Sequence, residues 1–63
     1  MHAGEVLVVD DESPTRRLVR QVLEPLGYVV REAADGDEAL AEVAREMPDL
    51  ILLDLEMPRR NGY

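Results

Sequence analysis

Two uninterrupted apolar runs, Glu5-Val6-Leu7-Val8-Val9 after its leading acid and Leu50-Ile51-Leu52-Leu53, each stop on aspartate: Asp10-Asp11 after the first and Asp54 after the second. Short continuous runs of this kind suit strands buried on both faces, as in a parallel sheet. Between them lie two stretches of helical spacing. Ser13 offers an N-cap and Pro14 a first helical position, after which Leu18, Val19, Val22, Leu23 and Leu26 recur on one face until Gly27 supplies the stop. Pro25 trims the last turn, because its ring clashes with the carbonyl four residues back. Tyr28 to Glu32 is β-branched and quickly becomes polar, as an edge strand does. Asp35 and Glu38 form a D-x-x-E start of the capping-box kind, and Ala39, Leu40, Val43, Ala44 and Met47 continue a second helical face as far as Pro48. Met57, Pro58, Asn61 and Gly62 read as loop. The predicted order is strand, helix, strand, helix, strand, and helical connectors between short strands imply parallel pairing through right-handed crossovers.

Size and charge narrow what such an α/β unit does. With 63 residues the chain is one domain at most and half of a common α/β domain. A unit this short buries only about 60% of its unfolded surface, which makes it marginal alone. It has no cysteine, so neither a disulfide framework nor a thiolate metal site supports it. Met1 to Glu5 lacks a basic start and Val6 to Val9 is too short for a secretory core or a membrane span; a cytoplasmic setting is the expectation. Seven basic residues, all arginine, stand against 14 acidic ones for a formal net charge of -7. Nucleic acid is a poor direct partner for that balance, because phosphates need neutralising cations. A divalent cation or a basic protein surface suits it better.

The chemistry concentrates at the strand ends. In open parallel sheets ligands bind beyond the carboxyl ends of the strands, where the winding direction reverses. If the first and third strands are neighbours, Asp10, Asp11 and Asp54 converge there. Two carboxylates about 5 Å apart repel by roughly 3 kcal/mol at an effective dielectric near 20. A hard cation with oxygen ligands, Mg²⁺ above all, relieves that repulsion and keeps waters that a phosphate can displace. An aspartate neutralised in this way is a competent nucleophile toward phosphorus.

The pattern resembles bacterial response-regulator receiver domains over essentially all 63 residues. It is carried by Val6-Leu7-Val8-Val9-Asp10-Asp11-Glu12, Leu26-Gly27-Tyr28-Val29-Val30, Ala34-Asp35-Gly36-Asp37-Glu38-Ala39-Leu40 and Pro48-Asp49-Leu50-Ile51-Leu52-Leu53-Asp54-Leu55-Glu56-Met57-Pro58. The acidic pair and the D-x-x-M-P motif, in this order and spacing, are its specific part. The resemblance implies a flavodoxin-like α/β fold with local strand order 2-1-3, of which residues 1–63 would be the N-terminal half. It implies Asp54 as phosphoacceptor, fed by a sensor histidine kinase or phosphotransfer protein. It implies Mg²⁺ held by Asp10, Asp11, Asp54 and the backbone carbonyl of Glu56, with Asp11 a direct ligand and Asp10 acting mostly through bound water. Met57-Pro58 and Gly62 match the turn into a third helix, and Arg16, Arg17 and Arg20 match part of a kinase-docking surface. The family's phosphate-contacting hydroxyl residue and lysine follow its fourth and fifth strands, and neither position falls within residues 1–63.

Plainer roles stand beside these. Asp10 and Asp11 can serve the start of the first helix, where carboxylates suit the dipole. Arg16, Arg17 and Arg20 can be a solvated face, Arg59 and Arg60 exposed loop charge, Glu12 a solvated helix start, Met57 loop packing, and His2 a residue of a free terminus. One rival function is assembly: a half-domain that pairs or swaps through the exposed edge of its third strand, without phosphotransfer. Another is a phosphohydrolase of the haloacid-dehalogenase kind, but those place D-x-D after the first strand, where this chain has adjacent aspartates. A dinucleotide site lacks its G-x-G-x-x-G.

Overall fold

The computed structural model describes residues 3–53. They form β1 (Gly4–Val9), α1 (Ser13–Leu23), a 3-10 turn (Glu24–Leu26), β2 (Tyr28–Ala33), α2 (Gly36–Arg45) and β3 (Leu50–Leu53). All three strands are parallel in the order β2-β1-β3, the topology expected from the alternation of apolar runs and helical stretches. Register follows from side-chain alternation. Val6 and Val8 pair with Val30 and Glu32 of β2 and with Leu50 and Leu52 of β3; Leu7 and Val9 pair with Arg31 and Ala33, and with Ile51 and Leu53.

That alternation splits the core into two layers. Val6, Val8 and Val30 pack under Val19 and Leu23 of α1, whereas Leu7, Val9 and Ala33 pack under Ala39 and Val43 of α2. The helices therefore cover opposite faces, and β1 between them is buried except at the half-buried Glu5, with Leu7 at 0% exposure. Burial of each such Val or Leu side chain stabilises the fold by about 1.5–3 kcal/mol.

The third strand departs from the expectation that both apolar runs are buried on both faces. Leu50, Ile51, Leu52 and Leu53 are all exposed, between 38% and 59%. Both helices touch β1 and β2, so among the described elements none lies over β3, and it forms an edge. The same geometry leaves Leu18, Val22, Leu26, Leu40 and Met47 at the surface, so only part of each predicted apolar face reaches the core. Met47 also lies past the end of α2, whose C-cap is Glu46.

Helix ends show which local signals were read correctly. Asp35 caps α2 by accepting a bond from the Glu38 amide at 2.8 Å, and the Glu38 carboxylate accepts one from the Ala34 amide at 2.7 Å. Gly27 closes the 3-10 turn at φ +97°, a left-handed conformation that glycine adopts without strain. Ser13, expected as the N-cap of α1, is instead its first helical residue, and Glu12 holds the cap position. The Thr15 and Arg16 amides, which a Ser13 cap would have to bond, already donate to the Glu12 carbonyl at 3.1 and 3.2 Å. Pro14 has no amide to satisfy.

Between α2 and β3, Asp49 fixes where the third strand begins. Its amide donates to the Glu5 carbonyl at 2.9 Å, and its Oδ2 accepts from the Glu5 amide at 2.7 Å. This pair aligns β3 with β1, and so sets which residues finish the two strands side by side.

Candidate acidic site at the strand ends

The register ends β1 at Val9 beside Leu53 of β3. Each is followed in sequence by an aspartate, Asp10 and Asp54. Asp10 is described and is the buried charged residue of the described core, at 4% exposure. A carboxylate so enclosed persists where hydrogen bonds or a cation satisfy it. Its Oδ1 accepts from the Glu12 amide at 2.9 Å, its own amide donates to the Ala33 carbonyl at 3.1 Å, and its carbonyl accepts from Arg16 Nη1 at 2.6 Å. The local role considered for Asp10 is therefore real: it braces the entry to α1. Asp11 follows at the surface and takes part in an interaction of its own.

In front of Asp10 lies a cleft of about 200 Å³ lined by Val8, Val9, Asp10, Thr15, Val19, Leu52 and Leu53. It sits at the carboxyl ends of β1 and β3, where a parallel sheet receives ligands. Among the described residues no group of three or more His, Cys, Asp or Glu is assembled to hold a metal ion. The donors the site offers are oxygens on an apolar floor, a chemistry that fits a hard cation such as Mg²⁺ and not a soft one. Asp54 and Glu56 lie outside the described residues, as do His2, Met57, Pro58, Arg59, Arg60 and Gly62.

The arginines of α1 divide. Arg16 and Arg20 turn inward to the same carboxylate: Arg16 Nε donates to Glu32 Oε1 at 2.9 Å, and Arg20 Nη1 pairs with Glu32 Oε2. Arg20 also holds Glu24 at 2.7 Å and the Val30 carbonyl at 3.0 Å, and its bond to Glu24 raises its pKa further above the ordinary guanidinium value. The hydrogen bond from Arg16 is the leading cause that holds Glu32 below the usual carboxylate range, with Arg20 adding to it. Arg17 is exposed. On the other face Arg31 spans Glu5 at 3.2 Å and Glu42 at 3.0 Å, tying β1, β2 and α2 together. Sequence reasoning passed over Thr15 as a cleft residue and Glu32 as the anchor of two arginines. Neither carries a local signal, since Thr15 meets the cleft through how α1 lies beside the ends of β1 and β3, and Glu32 meets the arginines through how α1 lies on β2.

Among the described residues no helix is long and apolar enough to cross a membrane. Comparison with known proteins gives the site its context. Residues 6–63 match the response regulator receiver domain family. The chain is similar to the probable transcriptional regulator ycf27 of Porphyridium aerugineum, 48% identical over 63 residues, covering 100% of this chain and 26% of that protein. It is 52% identical over 58 residues to the transcriptional regulatory protein ResD of Bacillus subtilis, covering 92% of this chain and 24% of ResD. It is 43% identical over 60 residues to the sensor histidine kinase CheAY of Helicobacter pylori, covering 92% of this chain and 8% of that protein. The chain thus spans about a quarter or less of the curated relatives it matches.

Proposed function

This chain belongs to the response regulator receiver domain family, and from that membership we propose that Asp54 accepts a phosphoryl group from a phosphorylated sensor histidine kinase or phosphotransfer protein. Residues 1–63 are the N-terminal half of the receiver in this reading. The observation that supports it most is the buried Asp10 at the end of the central strand, facing a cleft, one residue beyond a Val9–Leu53 register pair. Asp54 is the residue that follows Leu53 in sequence.

Asp10, Asp11, Asp54 and the Glu56 carbonyl would hold Mg²⁺, whose chemistry is to neutralise the clustered negative charge and accept phosphate oxygens. The protein's own part is positional. Asp54 presents a carboxylate oxygen that forms the new O–P bond as the N–P bond of the donor phosphohistidine breaks, and the departing imidazole nitrogen takes up a proton from solvent. Val8, Val9, Leu52 and Leu53 give the cleft an apolar floor, which would strengthen the attraction between a bound cation and the carboxylates. Signalling through this reaction is the role assigned, with enzymatic turnover limited to loading and loss of the phosphoryl group.

The test uses the polypeptide at its natural length, with acetyl phosphate and Mg²⁺. Intact-mass spectrometry is expected to show a single phosphate on the wild type, with the adduct absent from Asp54→Asn and absent when the metal is chelated. An undiminished adduct in Asp54→Asn would remove Asp54 as acceptor. A second reading is favoured by the edge position of β3: among the described residues it presents four exposed apolar residues and no further strand beside it, and in this reading the segment pairs with another copy instead of transferring phosphate. Light scattering on this segment at micromolar concentration separates the two, because a folded monomer is incompatible with obligatory pairing.

A further inference from the structure

We propose that Arg16 is a positioning residue for the acidic strand end, acting through the main chain of Asp10 and itself held in place by Glu32. The inference rests on the cation-site reading given above. The Arg16 side chain is 15% exposed and has two bonding directions in use at once: Nη1 to the Asp10 carbonyl at 2.6 Å and Nε to Glu32 at 2.9 Å. The first bond fixes the peptide plane between Asp10 and Asp11. The plane before Asp10 is fixed by its amide on the Ala33 carbonyl, and the carboxylate is fixed by the Glu12 amide. Three anchors therefore define the orientation of Asp10, and the Arg16 bond is the one on the carbonyl of the peptide that leads to Asp11.

A planar guanidinium suits this task because it donates in two set directions, toward the β1 end and toward β2. Without that donor the carbonyl of the Asp10–Asp11 peptide loses its bond, so the relative orientation of the two carboxylates is less firmly held. A cation then has to order them as it binds, and its affinity falls. Arg20 supplies the internal comparison. It shares Glu32 and bonds Val30, but it makes no contact with Asp10. Both arginines brace α1 on β2, and only one of them reaches the acidic end.

The experiment is a Mg²⁺ titration of the natural-length polypeptide, followed through the amide NMR shifts of Asp10, Asp11 and Glu12, with a thermal melt for each variant. Arg16→Gln is expected to weaken Mg²⁺ roughly tenfold, the scale of lost outer-shell support at metal sites. Arg20→Gln is expected to lower the melting temperature while leaving Mg²⁺ affinity unchanged. Equal affinity in Arg16→Gln and wild type overturns the proposal, and so does equal weakening in both variants, which would mark a general loosening of α1. If Arg16→Gln does not fold, Arg16→Lys carries the same criteria, since a lysine ammonium is a poor substitute for a two-direction donor. A wild type whose Asp10–Glu12 amides ignore Mg²⁺ refutes the cation site itself, an outcome separate from any difference between variants.

Discussion

At the scale of single residues, the protein is governed by what β1 encloses. Leu7 is fully buried between the layers, so Leu7→Ala removes apolar volume at a place with little room to collapse. A loss of about 2–5 kcal/mol is expected in urea unfolding, which is enough to unfold a unit this small. A loss below about 0.5 kcal/mol would mean that β1 is not the centre of the core. The importance of Leu7 was legible from its run of apolar neighbours, and the carboxylates that end the run marked Asp10. The helix-start role of Asp10, seen in its bond to the Glu12 amide, was legible too, but its enclosure was not. That depends on a six-residue reach from Arg16 and on an extension of the β1–β2 ladder to Asp10, neither of which leaves a periodic trace.

At the scale of elements, each helix is secured by different means, and only one of them is local. For α2 the start is written in four residues: Asp35 bonds Glu38, and Glu38 bonds back to Ala34. Asp35→Ala is expected to cost about 1 kcal/mol, measured by chemical denaturation. For α1 the attachment is electrostatic and distant in sequence, through Glu32 to Arg16 and Arg20. Glu32 is held below its ordinary value of 4.5 by the Arg16 hydrogen bond first, then by Arg20. A depressed folded-state pKa contributes stability that is present above the unfolded value and fades as pH falls through the folded one. The wild type should therefore lose more stability than Glu32→Gln between about pH 7 and about pH 3, and equal losses would show that Glu32 is uncoupled from α1. The Ser13 expectation failed at this scale for an identifiable reason: the Glu12 carbonyl had already taken the two amides that a serine cap needs.

At the scale of the whole molecule, the strand order β2-β1-β3 is the feature that gives the acidic residues a common meaning. It makes neighbours of two strands separated in sequence by β2 and both helices, and it ends them at the same level through the Asp49–Glu5 pair. Parallel order was readable from alternating strand and helix signals, because a parallel pair needs a crossover. The open edge of β3 was expected, but the exposure of its faces was not readable, since an apolar run looks the same whether or not a second layer covers it. The chain's formal net charge of -7 makes nucleic acid a poor direct partner, because phosphates need neutralising cations.

In the proposed function the carboxyl ends of β1 and β3 serve one cation together. Paramagnetic broadening by Mn²⁺, substituted for Mg²⁺ in the natural-length polypeptide, measures this directly. The amides of Asp10, Asp11 and Asp54 should broaden together at the same low ion concentration and recover together when excess Mg²⁺ is added. Broadening of Asp10 and Asp11 with Asp54 left sharp would contradict the claim.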